Sequence, residues 1–278
     1  MIEFCKFQGV GNDFIIFEES KINIGNYSEL AKNVCDRHFG IGADGMIIVS
    51  KSETADIRMK FYNADGSIAT MCGNGIRCFS KFVYENNIVN SKKFTVETLG
   101  GIMWSEVILE DNKVNLVKIN MGRPKFLSDK LPKSKNNQYF INEDIIVDNK
   151  IFKISSLIIG TIHTVLFVDD FLEMNIERIG EIIENYKLFP KKTNVNFCKV
   201  IDKENIEVVT WEKGVGITLA CGTGAAAAAI ISMIVNNCNK KISVKVKGGN
   251  LLIEQIGADV FMTGEAKLIC KGEYNFLD

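Results

Sequence analysis

Period-two alternation of apolar and polar residues runs through most of the chain, interrupted by glycine-rich turns and four helix-like stretches. Residues 3–17 read as two strands around the turn Gly9-Val10-Gly11-Asn12-Asp13. Residues 30–38 follow as a short helix with Ser28 as its cap. A glycine-rich loop at 39–45 leads into a strand at 46–49, and a strand at 56–62 ends in the turn Asn63-Ala64-Asp65-Gly66. A helix after Cys72 and strands at 94–97, 101–109 and 114–121 complete the first half. The polar, lysine- and asparagine-rich stretch from Gly122 to about Asn137 is the expected domain crossing. Beyond it the plan repeats: strands at 153–160 and 164–169, a helix at 176–185, and strands at 195–201 and 206–211. A helix after Cys221 follows, and strands at 242–246, 251–255 and 260–263 close the chain.

One stretch departs from this alternation. Leu219-Ala220-Cys221-Gly222-Thr223-Gly224 is followed by an apolar run from Ala225 to Ile231. A helix apolar on every side is buried, so this one is expected to pass through the middle of a domain. Its first turn carries N–H groups without helical partners and the positive end of the dipole, a seat for a carboxylate or phosphate. A cysteine at that entrance tends toward thiolate. Cys72-Gly73-Asn74-Gly75 opens a second helix in the same way, about half a chain length earlier. Two such copies imply two similar domains, each presenting one helix N-terminus to a shared cleft. The expected fold is therefore α/β of the α+β kind. It comprises two pseudo-symmetric domains, each a mixed, mostly antiparallel sheet wrapped around a central helix, with the active site in the cleft between them.

Composition narrows the function without choosing it. The 278 residues are 46% hydrophobic, enough for one large or two medium cores, and the net charge of −1 favours neither nucleic acid nor an anionic membrane. The start lacks the basic-then-apolar pattern of a signal peptide, and the longest apolar run falls short of the ~20 residues of a membrane span. A soluble cytoplasmic protein is expected. The eight cysteines form no Cys-x-x-Cys pair and the only histidines are His38 and His163, so zinc-type spacing is missing. Most of these cysteines read as small buried hydrophobes; only Cys72 and Cys221 have a reactive context.

A thiol on each side of a carbon is what inversion of configuration requires, one removing a proton and the other returning one to the opposite face. Other readings compete. Gly222-x-Gly224-x-x-Ala227 fits the dinucleotide fingerprint, but no acidic residue stands about 20 positions on to hold a ribose. Asn12, Asn63, Asn74 and Asn194 taken singly are ordinary turn residues. His163 between apolar strand residues could be structural, and Glu212-Lys213 a solvated turn.

The strings QGVGNDF, CDRHFGIGADG, FYNADGSIATMCGNGIRCF, MGRP, NVNFCKV and EKGVGITLACGTGA together resemble the diaminopimelate epimerase family, in order and nearly end to end. The resemblance implies an isomerase free of pyridoxal and metal that converts LL- to meso-2,6-diaminopimelate for lysine and cell-wall synthesis. Its domains would be residues 1–119 and 120–264, with 265–278 returning to the first. It matches Cys72 and Cys221 to the proton-transferring pair, and Gly73, Asn74, Gly222 and Thr223 to the donors around the reacting carboxylate. Asn12, Asn63, Asn194 and Glu212 match substrate-binding residues, and His163 a histidine beside the site. Three positions depart from the family pattern. Thr161 stands where many members have asparagine, Lys213 where arginine is usual, and Gly45 where some carry glutamine. Thr161 and Lys213 lie at substrate-binding positions, the latter toward the distal carboxylate. A homodimer is the expected assembly, with an amino acid as the small-molecule partner. A racemase of another amino acid and a dinucleotide-dependent oxidoreductase remain the alternatives.

Overall fold

The computed structural model describes residues 1–134 and 138–275. The described chain separates into two compact units, one of Met1–Asn120 with the residues from Thr263 onward, the other of Met121–Met262. The end of the predicted crossing, at 135–137, and the last three residues of the predicted return lie outside the described residues.

The first unit opens with strands β1 (Ile2–Gly9) and β2 (Asn12–Glu18), helix α1 (Tyr27–Cys35), then β3 (Gly45–Ser50), β4 (Ile57–Asn63) and the two-residue β5 (Ile68–Ala69). Helix α2 (Gly73–Glu85) follows, and then β6 (Lys93–Thr98), β7 (Gly101–Glu110) and β8 (Lys113–Gly122). The second unit contains β9 (Glu143–Val147), β10 (Lys150–Ile159), β11 (Thr161–Phe167), α3 (Ile176–Glu184), β12 (Asn194–Val200) and β13 (Asn205–Glu212). It continues with β14 (Gly216–Ile217), α4 (Gly222–Val235), β15 (Lys241–Val246), β16 (Gly249–Ile256) and β17 (Asp259–Glu265). Strand β18 (Lys267–Tyr274) returns to pair antiparallel with β1.

Pairing shows the duplication directly. In the first unit β1 and β2 are antiparallel, β2 and β3 parallel, β3 and β4 antiparallel, β4 and β6 parallel, and β6 and β7 antiparallel. The second unit repeats that alternation in β10–β11, β11–β12, β12–β13, β13–β15 and β15–β16. Even the short strands correspond, β5 on β4 and β14 on β13. Each parallel step needs a crossover, and a helix fills it every time: α1 and α2 in one unit, α3 and α4 in the other. The sheets are thus mixed and mostly antiparallel, as expected.

Each sheet curves around its second helix. Helix α2 packs on β1, β2, β3 and β7, and α4 on β10 to β13, β15 and β16. From Ala225 to Ser232 every residue of α4 is buried, because alanine lets surrounding strands approach on all sides. The first helix of each unit covers a core of its own. Leu30, Ala31 and Val34 of α1 join Ile15, Phe17, Met46 and Ile48, while Ile183 of α3 joins Ile154, Leu166, Val195 and Phe197.

Local expectations needed three corrections. Asn26, not Ser28, caps α1, its side chain accepting from the Glu29 N–H, which puts Ser28 inside the first turn. Strand β9 forms in the stretch after the polar segment, where Ile145 and Val147 alternate inward. Alternation locates no strand after 260–263, yet β18 follows, within the 265–278 stretch that the family resemblance returns to the first domain. Its residues are mostly exposed, so it gives no inward apolar face for a pattern to reveal.

Candidate active site

Both Cys-Gly-x-Gly motifs fold alike. Cys72 and Cys221 are extended residues at the N-caps of α2 and α4. Each sulfur accepts the N–H three residues on, Gly75 to Cys72 and Gly224 to Cys221, both at 3.3 Å. A sulfur in the place where Ser or Asp usually caps a helix faces the positive end of the dipole, which favours thiolate. The helical ladder provides no partners for the first-turn N–H groups, at Gly73 and Asn74 or at Gly222 and Thr223. Cys72 is half-buried and Cys221 buried.

Cys270 is exposed, and the five remaining cysteines differ in kind from the capping pair. Burial pushes the Cys35, Cys78 and Cys198 thiols up to about 12, and raises those of Cys5 and Cys238. They are neutral packing groups at any ordinary pH.

Around α2, a chain of amides leads away from the cysteine. Asn74 donates to the Asn12 carbonyl oxygen at 2.5 Å, and Asn12 donates to Asp44 at 3.1 Å. Asp44 and Asp13 are held in turn by Arg37, at 2.8 Å each, and Lys6 meets Asp13 at 3.0 Å. Gly45 and Asn63 face one another across β3 and β4. A Cβ at Gly45 would lie 2.6 Å from the Phe61 ring and 2.8 Å from the Tyr62 carbonyl oxygen, so a side chain here would displace the neighbouring strand. Asn63 also donates to the Ser67 hydroxyl at 2.9 Å, as a turn residue does.

The second unit gathers its predicted residues around β11, β12 and β13. His163 sits beside Asn194 in the parallel register of β11 and β12. The Asn194 carbonyl oxygen accepts the Lys213 backbone N–H at 2.8 Å, and Glu212 accepts from the Thr218 hydroxyl at 2.6 Å. Thr223 places its hydroxyl 3.4 Å from the Cys221 sulfur. Thr161 opens β11 in an exposed position, and the Lys213 side chain is exposed too. Burial lowers His163 to about 3, so its ring is neutral.

Sequence reasoning missed Arg77, Asn196, Thr210 and Asp44. Arg77 is fully buried inside α2, donating to Gly73 O, Asn74 Oδ1 and Glu265 O. As one of three charged residues on α2, with Lys81 and Glu85, it carries no sequence signal of its burial. Asn196 donates to His163 Nδ1 at 3.2 Å and to the Thr164 carbonyl at 3.1 Å, while accepting from Thr210 at 3.0 Å. With Nδ1 accepting, the His163 ring carries its proton on Nε2. Among the described residues no three His, Cys, Asp or Glu side chains are placed to hold a metal ion.

The sequence profile of diaminopimelate epimerases matches residues 4–127 and 156–269. The chain belongs to the diaminopimelate epimerase family. Among curated relatives, the diaminopimelate epimerase of Caldanaerobacter subterraneus is 47% identical over 98% of this chain and 99% of its own. That of Clostridium perfringens is 43% identical over 99% of this chain and all of its own. Solved structures extend the fold further than the sequence. A phenazine biosynthesis protein of the PhzF family from Bacillus anthracis superposes with a TM-score of 0.72 at 15% identity, covering 99% of both chains. A probable proline racemase from Agrobacterium radiobacter reaches 0.70 at 12%, over 99% of this chain and 93% of that one. In this epimerase the glycine-rich turn at Gly222 therefore belongs to the duplicated epimerase fold and not to a dinucleotide-binding unit.

Proposed function

We propose that the chain converts LL-2,6-diaminopimelate to the meso isomer with Cys72 and Cys221 as the two proton-transferring groups. One observation supports this above the rest: both sulfurs cap a helix through the same 3.3 Å contact, in a chain of this family. Removing the Cα proton needs a base on one face, and inversion needs an acid on the other. The negative charge that develops spreads into the α-carboxylate. First-turn N–H groups at Gly73, Asn74, Gly222 and Thr223 would hold it, fixed in place before the reaction begins.

Asn12, Asn63, Asn194 and Glu212 would hold the rest of the substrate. With its carbonyl oxygen already engaged by Lys213, Asn194 offers its NH2 as donor. Lys213 would meet the distal carboxylate as a point charge in place of a bidentate arginine fork, with Thr161 nearby on the same substrate. Neutral His163 and Gly45 would support the site without charge. A homodimer is proposed as the assembly, since β18 exposes Leu268 and Ile269. The cytoplasm is the proposed compartment. Among the described residues no helix is long and apolar enough to cross a membrane.

The test is deuterium uptake at Cα in heavy water, with purified protein offered diaminopimelate, lysine and other amino acids. Uptake with diaminopimelate, strongly preferred over lysine, is expected. Equal handling of lysine would remove diaminopimelate as the substrate.

A further inference from the structure

Lys213, the residue proposed above to meet the distal carboxylate, stands on a turn that its own unit holds from two sides. Residues 212–215 form a β-turn between β13 and β14, closed by the Val215 N–H donating to the Glu212 carbonyl oxygen at 3.0 Å. Its third residue, Gly214, has φ +75°, a conformation that suits glycine. The two remaining N–H groups of the turn go to side chains from other elements. The Lys213 N–H donates to Asn194 Oδ1 on β12 at 2.8 Å, and the Gly214 N–H donates to the carboxylate of Glu184, the last residue of α3.

Glu184 is 4% exposed, and its surroundings keep it charged. The Trp211 indole N–H donates to it at 2.8 Å and the Lys192 ammonium pairs with it at 2.9 Å. Burial opposes ionisation, but the bonds from Trp211, Lys192 and Gly214 outweigh it and hold the carboxyl below its usual range. The same helix seats the indole. Gly180 lies one turn before Glu184, and a Cβ there would come within 2.7 Å of the Trp211 ring.

The first unit shows that the fold makes this turn without such a clamp. Its corresponding turn, residues 63–66 between β4 and β5, is closed by the Gly66 N–H to the Asn63 carbonyl oxygen. Its own side chains do the rest, Asn63 and Asp65 both bonding Ser67. The one carboxylate of α1, Glu29, bonds its own cap residue, Asn26. A buried carboxylate is costly to keep, and the second unit keeps one beneath the turn that carries Lys213.

We propose that Glu184 is a positioning residue for substrate specificity: with Trp211 and Lys192 it fixes the turn under Lys213, and so fixes where a cation meets the distal carboxylate of a dicarboxylic amino acid. This rests on the distal-carboxylate reading of Lys213 and adds the means by which a lysine can serve there. A lysine side chain has many rotamers, all of which a bound carboxylate must narrow to a few. Pinning the backbone beneath it removes a further source of motion before the substrate arrives.

A double-mutant cycle in KM for diaminopimelate tests this. Glu184→Gln keeps the size but sets an NH2 group among three donors, so the turn loses its anchor. It is expected to raise KM about threefold or more and to change kcat less, since the turn holds substrate and moves no proton. In a Lys213→Ala background the same change should leave KM where Lys213→Ala alone puts it. A merely structural Glu184 would raise KM alike in both backgrounds. Trypsin gives a readout free of activity: it should cut the Lys213–Gly214 bond faster in Glu184→Gln than in wild type, followed by peptide mapping.

An unchanged KM, an equal rise in both backgrounds, or a Lys213–Gly214 bond cut no faster overturns the proposal. If Glu184→Gln does not fold, Lys192→Met takes its place in both measurements, because that side chain is half exposed. Its effects should be smaller and in the same direction, and their absence overturns the proposal equally. Should Lys213→Ala itself leave KM unchanged, the distal-carboxylate reading fails and this proposal with it. A raised KM in Lys213→Ala beside a silent Glu184→Gln overturns the role of Glu184 alone.

Discussion

At the scale of single residues, chemistry separates two of the eight cysteines from the rest. Cys72 and Cys221 cap helices, whereas Cys35, Cys78 and Cys198 are held neutral by burial. Cys72→Ala and Cys221→Ala are each expected to lower epimerisation by several orders of magnitude, and the double variant to be little worse than either single one, because inversion needs both groups at once. Cys5→Ala and Cys238→Ala should keep turnover near wild type. Polarimetry or chiral chromatography of product checks this; appreciable turnover by the double variant would end the two-cysteine account. Asn63 and Asn194 each commit one end of the amide to the fold, Asn63 donating to Ser67 in its own turn and Asn194 in β12 accepting from the distant Lys213 N–H. Because such bonding alone accounts for an asparagine in a turn string, a single one carries little functional information.

Among the elements, α4 shows what a helix gives up to sit in the centre of a sheet. Alanines allow close approach, and Gly224 allows the closest. A Cβ there would lie 2.4 Å from Asn196 Oδ1 and 2.9 Å from Thr210 Oγ1. Neither atom can retreat easily, because Asn196 is tied to His163, Thr164 and Thr210 in a buried network. Gly224→Ala should therefore destabilise the protein. Overpacking costs about 1–3 kcal/mol, against up to ~1 kcal/mol gained from helix propensity. Denaturant unfolding of the variant measures the balance, and a more stable variant would mean the Asn196 network yields freely. The same substitution should also weaken activity, since the Gly224 N–H is the one that holds the Cys221 sulfur.

The molecule as a whole carries a pH dependence of stability that one group makes legible. His163 is fully buried and neutral, with its value lowered by burial to about 3. In the unfolded chain it titrates near its ordinary 6.5, so below that pH the unfolded state binds a proton the folded state refuses. Stability is complete above about pH 6.5 and drains away as pH falls toward 3, by up to about 1.4 kcal/mol per pH unit. His163→Gln should flatten the fall in unfolding free energy between about pH 6 and pH 4, whatever it does to stability at neutral pH. Parallel curves for variant and wild type would show that His163 is not the source.

Much of this protein can be read directly from its residues. Alternation of apolar and polar positions locates the long strands because one face of each is buried. The two Cys-Gly-x-Gly strings mark α2 and α4 because helix starts, close approach and a reactive sulfur all need particular small or polar residues at fixed spacing. Three-dimensional structure had to supply the rest. Strand β18, mostly exposed, has no inward face to announce it, and its place beside β1 is set by pairing across nearly the whole length of the chain. The Asn74, Asn12 and Asp44 bonds join three separate segments, and the Asn196 network joins β11, with His163, to β12 and β13. Arg77 shows the limit most clearly. In sequence it is one of three charges on a helix, indistinguishable from a solvated one, and only the packing of β1, β2, β3 and β7 around α2 makes it a buried cation bonded to Gly73 and Asn74. Local pattern fixes which residues turn inward; electrostatics depends on what surrounds them once they have, and that is decided by contacts far apart in the chain.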